Sequence, residues 1–349
     1  MDIYVLDDEL NQIGVIDYYK SLIWSKRYYD IGDCEIYVSA SVETLNLLQK
    51  GYYLMRDDDE MLCRIESIEL DTDVENGDFL IVTGYDCRKI LNQRIIWNQT
   101  NFNGTVENYI RKLITDNIIS PSVTARKIDN FQLGASNGFT ETIDEQVTYD
   151  ALDEKIKEIC QAYGYGWKIT FNPETKIFTF NIYKGKDRSY AQTENDYVVF
   201  SSEFDNIISS KYVTDSSNIR NVALVAGEGE GIDRKRFVYG SASGINRYEV
   251  YVDAKDISSK TEEGVTINYD EALKARGLEK LAEYDVVTAF EGEVEPNYSY
   301  KYKEDYDLGD IVQVVNDYGI EAGARITEVI ESHDENGYSV IPTFEYTGV

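Results

Sequence analysis

RIESIEL (64–70) followed by ENGDFLIVT (75–83) is answered near the other end of the chain by RITEVIE (325–331) followed by ENGYSVIPT (335–343). Each copy reads as a strand, a turn containing Asn-Gly and a second strand, a strong short-range signal of a β-hairpin. The second match needs a one-residue gap relative to the first. In both copies the apolar alternation breaks at the same place, between Ile65 and Ile68 and between Ile326 and Val329, as a shared β-bulge requires. Upstream, LLQKGYYLM (47–55) matches YDLGDIVQV (306–314), each ending in alternating apolar positions. Any two Asn-Gly hairpins look alike, but three features in the same order favour a duplicated small barrel.

Composition narrows the class. Lys and Arg number 34 against 64 Asp and Glu, a formal charge of −30 spread over 349 residues. Such a surface repels duplex nucleic acid and anionic lipid, so specific nucleic-acid binding is not expected. The 29 tyrosines suit half-buried strands and protein contacts. Cys34, Cys63, Cys87 and Cys160 lack CxxC spacing, and acidic residues fill the first positions where a signal peptide would stand, which implies reduced thiols in a protein made in the cytosol. No apolar run reaches the length of a membrane span, so the chain is not expected to insert into a bilayer.

Along the chain, DIYVLD and QIGVIDYY alternate as an opening hairpin would. On the strand that follows, Cys34, Ile36, Val38 and Ala40 share one face. SVETLNLLQK (41–50) is a short helix or turn. The spacing of Val106, Tyr109, Ile110, Leu113 and Ile114 predicts a helix over 103–118, and Leu152, Ile156, Ile159 and Cys160 predict another over 148–163 ending at Gly164. Two strands follow, joined by a turn at Asn172-Pro173-Glu174-Thr175. A third helix spans 268–284, where Asn268 and Glu271 have capping-box spacing. The fold class is therefore mainly β with α+β insertions. Residues 1–97 form a first β-barrel, with 201–226 as its candidate completion. Residues 98–200 are an α+β insert, 227–285 a linker hairpin and helix, and 286–349 the second barrel repeat.

Few residues suggest chemistry. The single histidine, His333, lies in SHDENG, read as an exposed turn without a nucleophile beside it. GEGEGIDR (227–234) has glycines suited to phosphate, but its glutamates repel an anion and KRFVYG continues as a strand, so it reads as a hairpin or interface loop. Asp57, Asp58, Asp59 and Glu60 lack the spaced ligands of a calcium loop and read as a charged tip, as do Asp305 and Asp307. Neither a metal nor a cofactor is expected. Paired carboxylates for glycoside hydrolysis leave no trace in sequence, so an acidic glycan-binding or glycan-cleaving β protein stands as the alternative. Trp24, Lys26, Arg27, Tyr28 and Tyr29 have the composition of an interface hot spot. The plainer reading of the same residues makes Trp24 core and pairs Arg27 with a local acid.

Several segments together resemble one family. WSKRYYDIGDCEIYVSA, GYDCRKILNQRIIW, GYGWKITFNPETKIFTFNIYKGKDRS, SSEFDNIISSKYVTDSSNIRNVALVAGEGEG, DYDLGDIVQVV and ARITEVIE resemble stretches of siphophage and prophage tail hub proteins, also called baseplate hub or tail-associated proteins. The resemblance covers nearly the whole chain. It implies a fold similar to contractile-tail baseplate hubs and type VI secretion spike heads: two small tube-like β-barrels with α+β insertions, assembled as a homotrimer. It further implies a non-enzymatic place in the virion tail tip, made in the host cytoplasm, with the tail tube and distal tip proteins as partners. A trimer with two like barrels per subunit would match a hexameric tube ring. Any peptidoglycan-degrading or receptor-binding activity is then expected on another chain or outside this sequence. On this reading the corner from Trp24 to Tyr29 is an assembly contact, and replacing Arg27 and Tyr28 would leave the fold intact.

Overall fold

The computed structural model describes residues 1–74, 77–259, 268–284, 287–294, 300–319 and 321–346; Glu75 and Asn76 of the first predicted turn lie outside them. The chain opens with the predicted hairpin, β1 (Ile3–Leu6) with β2 (Gln12–Ile16). There follow β3 (Ser21–Arg27), β4 (Asp33–Ser39), a one-turn helix α1 (Val42–Leu47), β5 (Tyr53–Arg56), β6 (Leu62–Asp73) and β7 (Gly77–Asp86). Alternation buries Cys34, Ile36 and Val38 of β4 against Trp24, Leu54, Ile65 and Val82. Ser41 starts α1 by accepting the Thr44 N–H while the Thr44 hydroxyl oxygen accepts the Ser41 N–H.

After α2 (Lys89–Asn92), the insert contains β8 (Thr100–Thr105), α3 (Val106–Ile114), β9 (Phe131–Leu133), β10 (Thr142–Val147), α4 (Leu152–Tyr163), β11 (Gly166–Asn172) and β12 (Ile177–Tyr183). The helix predicted from 103 starts later, because Asn103 and Gly104 pair with β10 as part of β8 and Thr105 is the cap. Its far end widens into a π turn over Thr115–Ile119, closed by Ser120 N–H to Thr115 O at 2.8 Å. α4 ends at Gly164, at φ +68°, as a left-handed cap. The apolar faces of α3 and α4 meet Trp167 and Phe180 in one core.

Next come β13 (Val199–Ser201), β14 (Ile207–Asp215), β15 (Val222–Ala226), β16 (Arg236–Tyr239), β17 (Glu249–Asp253) and α5 (Tyr269–Ala282). The last strands are β18 (Val287–Val294), β19 (Ile311–Val315), β20 (Glu321–Asp334) and β21 (Gly337–Tyr346). Two expectations change here. Residues 201–226 do not complete the first half: β13 pairs with β19 and β14 with β18, both in the C-terminal part. The expected linker is a layered unit, a sheet in the order β16-β15-β17 packed on α5 through Ala223, Val225, Val252 and Leu273. Asn268 caps α5 by accepting the Glu271 N–H at 3.4 Å.

One 13-stranded sheet carries the rest, along the path β14-β18-β21-β20-β3-β4-β7-β6-β5-β1-β2, with β13 and β19 attached through β20. Within it the two sequence repeats occupy equivalent places. Strand order β3-β4-β7-β6-β5 is matched by β14-β18-β21-β20-β19. Both hairpins carry the predicted bulge, after Ile65 in one and after Ile326 in the other. Before each stands a glycine at positive φ, Gly51 at +90° and Gly309 at +94°. Their N–H groups donate to Ile65 O at 2.9 Å and Ile326 O at 2.8 Å. The upstream sequence match is off by one, because Tyr53 faces Arg64 as Ile311 faces Arg325. The one-residue gap lies at the tips: Asp73 pairs with Gly77, but Asp334 pairs with Gly337. Two closed barrels are not formed among the described residues. β3 pairs with β20 as well as β4, so one half opens into the other and the path ends at β2 and β14.

A buried charge cluster seats α5 on the insert. Lys155 lies 2.5 Å from Glu279 and 3.6 Å from Glu145, all three buried. Arg276 lies 3.3 Å from Glu145 and 2.9 Å from Asp256. Burial pushes the Glu145 carboxyl up to about 7 against the pull of Lys155 and Arg276, with Glu279 adding repulsion. Because the folded value is raised, the neutral form's contribution is complete below the ordinary carboxylate range and is lost as pH rises through about 7. Between pH 6 and pH 8, urea unfolding should therefore show the wild type losing about 1 kcal/mol more than Glu145→Gln. Equal losses in the two proteins would contradict this account.

Candidate functional site

The corner singled out in the sequence is an internal joint. Trp24 and Tyr28 are wholly buried, so neither offers a surface to a neighbour. Tyr28 leaves the end of β3, its N–H donating to Thr327 O in the β20 bulge at 2.8 Å. Its ring then enters a slot between the insert and the C-terminal part. A Cβ on Gly166 or on Gly309 would meet that ring at 2.2 Å, so both positions require glycine. The hydroxyl lies 3.1 Å from Gly164 O, and the Arg325 guanidinium covers the ring at 5.2 Å. Tyr29 packs edge-on against Tyr28 at 4.8 Å, and its carbonyl accepts the Trp167 indole N–H at 2.9 Å. Four of the stretches that carry the family resemblance thus meet at one ring.

The basic residues are answered within the chain. Arg27 binds Glu328 of β20 at 2.7 Å and Asp33 of β4 at 2.5 Å. Lys26 pairs with Asp59 of the β5–β6 turn and lies 3.6 Å from Glu331. Asp59 also receives Lys303 at 3.1 Å. Glu331 accepts Arg56 at 2.9 Å and the Tyr338 hydroxyl at 2.8 Å. Burial would raise the Asp59 carboxyl, but Lys26 and Lys303 hold it down to about 2. Beside this network opens a cleft of about 360 Å³, lined by Met61, Trp167, Lys168, Tyr302 and Asp307 among others. Partial desolvation at the cleft raises the Asp307 carboxyl, opposed by the Leu308 N–H that it accepts and by Lys26. Arg88 closes the floor, binding Asp86 at 2.8 Å and Arg27 O at 2.6 Å.

These contacts run through the whole length of the chain, and so does its likeness to known proteins. The model of the family described as Siphovirus ReqiPepy6 Gp37-like protein matches residues 2–344. This chain belongs to that family. Among solved structures it resembles a tail protein from Neisseria meningitidis MC58, with a TM-score of 0.59 and 15% identity over 99% of this chain and 97% of the other. The prophage MuSo2 43 kDa tail protein from Shewanella oneidensis gives 0.58 and 11% over 99% and 98%. Prophage tail protein gp18 from Listeria monocytogenes EGD-e gives 0.55 and 14% over 99% and 94%. At such identities the shared property is the fold. No curated protein matches the sequence.

In this Gp37-like chain the other sequence candidates find structural roles. His333 is half-buried on β20, opposite Leu22, with its ring edge-on to Tyr19 at 5.5 Å, and not on an exposed turn. GEGEGIDR holds only a 3-10 turn at Gly231–Asp233 and is followed by strand β16, so no α-helix N-terminus is present there for a phosphate. Its loop is pinned, with the Glu228 N–H donating to the Tyr269 hydroxyl at 2.6 Å. Asp59 is no exposed tip. Among the described residues no group of His, Cys, Asp and Glu is arranged to hold a metal, and no helix is long and apolar enough to cross a membrane. All four cysteines are free and buried. Sequence reasoning missed Arg56, Lys303 and Glu331, whose partners come from distant segments. The glycines of GYGW and DYDLGD were visible, but what they pack against was not.

Because Tyr28 of the first part fills a slot between the insert and the C-terminal part, the expectation that its loss spares the fold is replaced by the opposite one. Tyr28→Ala should destabilise the isolated chain by about 3–5 kcal/mol in urea unfolding, as large buried aromatics do. An unchanged midpoint would show that the ring is not the joint.

Proposed function

We propose that this Gp37-like chain is a structural, non-enzymatic part of a phage or prophage tail, a hub that joins the tail tube to the tip as a trimeric ring. The observation that carries the reading is the repeated five-strand order with its matching bulges and glycines. A subunit with two like modules lets a threefold ring face a sixfold tube. Each module then acts as a tube-like wall segment, which a chain whose described residues close no barrel by themselves can supply to a ring. The family and the fold shared with tail proteins support a virion location.

Charge fits the same role. Three copies carry three times −30, and acidic residues facing a central channel would keep passing DNA from adhering. The charged corner works inside the subunit, holding the modules in the relative pose that a ring demands.

Native mass spectrometry of the chain mixed with the tail-tube protein tests the reading. A species containing three copies of the 40.0 kDa chain is expected. One copy, or six, per tube ring would overturn it.

A further inference from the structure

The equivalence of the two modules leaves one strand edge of each without its counterpart. Inside the chain the modules join where the Glu328–Asp334 part of β20 pairs with β3, from Glu328 opposite Arg27 to Asp334 opposite Ser21. The equivalent part of β6 begins at Ser67, just past its own bulge, and among the described residues no strand lies against its outer edge. The equivalent of β3 is β14, which among the described residues pairs with β18 alone. Long edges of this kind are templates for another chain unless something blocks them.

We propose that the outer edge of β6 pairs antiparallel with the outer edge of β14 in a second copy of this chain, repeating between subunits the β20–β3 junction within one. This rests on the ring reading above and names the contact that builds the ring.

The register follows from the pairings. Glu35 of β4 lies between Ile23 and Thr83, and Glu291 of β18 lies between Lys211 and Thr343. Ile23 therefore corresponds to Lys211 and Trp24 to Tyr212. On the other side, Ser67 faces Thr83 as Glu328 faces Thr343, so Ser67 corresponds to Glu328 and Leu70 to Glu331. Since Glu331 faces Trp24, Leu70 should face Tyr212 of the second copy. Those two are among the large apolar side chains left exposed, Leu70 at 49% and Tyr212 at 42%. Directly opposed apolar and aromatic side chains stabilise a strand pair. The next position sets Asp71 opposite Lys211, an attractive pair between chains whose net charges repel. The contact is heterologous, β6 of one copy on β14 of the next, so it can repeat around a threefold ring, whereas a self-complementary contact would stop at a dimer.

Cysteines at the opposed positions test this. The four native cysteines are buried and free, so they do not compete. Under mild oxidation Leu70→Cys/Tyr212→Cys should run as a covalent trimer on a non-reducing gel, whereas each single variant should run as a monomer. Glu69→Cys/Tyr212→Cys, one residue out of register and aimed at the other face, should also stay monomeric. Native trimers of the double variant without the covalent link would overturn this contact while leaving the ring. A double variant that stays monomeric in native mass spectrometry even with the tube protein would overturn the ring and the contact together. If the double variant misfolds, mixing the two folded single variants remains decisive: a covalent heterodimer supports the contact, and its absence overturns it.

Discussion

The close approach of one tyrosine ring to two glycines holds the chain's three parts in a single pose. Tyr28 comes from the end of β3, Gly166 from the start of β11 and Gly309 from the turn before β19. A Cβ on either glycine would collide with the ring, and Gly309 is also at positive φ, so neither position can vary without moving a whole unit. The ion pairs of Lys26, Arg27, Arg56 and Arg88 surround that contact. Removing one partner from a buried pair such as Arg56–Glu331 or Arg88–Asp86 leaves the other uncompensated, which makes the joint intolerant of piecemeal change.

The joint and the repeat serve each other. Thr327, the bulged residue of β20, offers its carbonyl to the Tyr28 N–H. The bulge also divides β20 into a part that pairs with β19 and a part that pairs with β3. One irregular residue thus lets a single long strand belong to its own module and reach the next. In β6 the same bulge stands after Ile65, with the outer part of the strand beyond it.

Much of this was legible in the sequence because it depends on local periodicity. The bulges announced themselves as a broken alternation at Ile65 and Ile326, and the hairpins, α4 and the cap of α5 follow from patterns a few residues long. Where long-range pairing decides, sequence misled. Residues 201–226 looked like strands for the first half, but strand propensity does not name a partner, and β14 pairs with β18. Trp24 to Tyr29 looked like a hot spot because buried joints and protein interfaces use the same residue types. Asp59 sits in an acidic run typical of exposed turns, and only its meeting with Lys26 and Lys303 makes it structural.

The unequal hairpin tips bear on where two like hairpins can differ in length. Three positions separate Asp73 from Gly77 but two separate Asp334 from Gly337, while the pairings nearer the bulges keep step in both copies. A length change at the tip leaves the strand arms untouched. The same change within an arm would turn every following side chain to the opposite face. Two hairpins of this kind can therefore differ in length at their tips and still present the same side-chain faces along their arms.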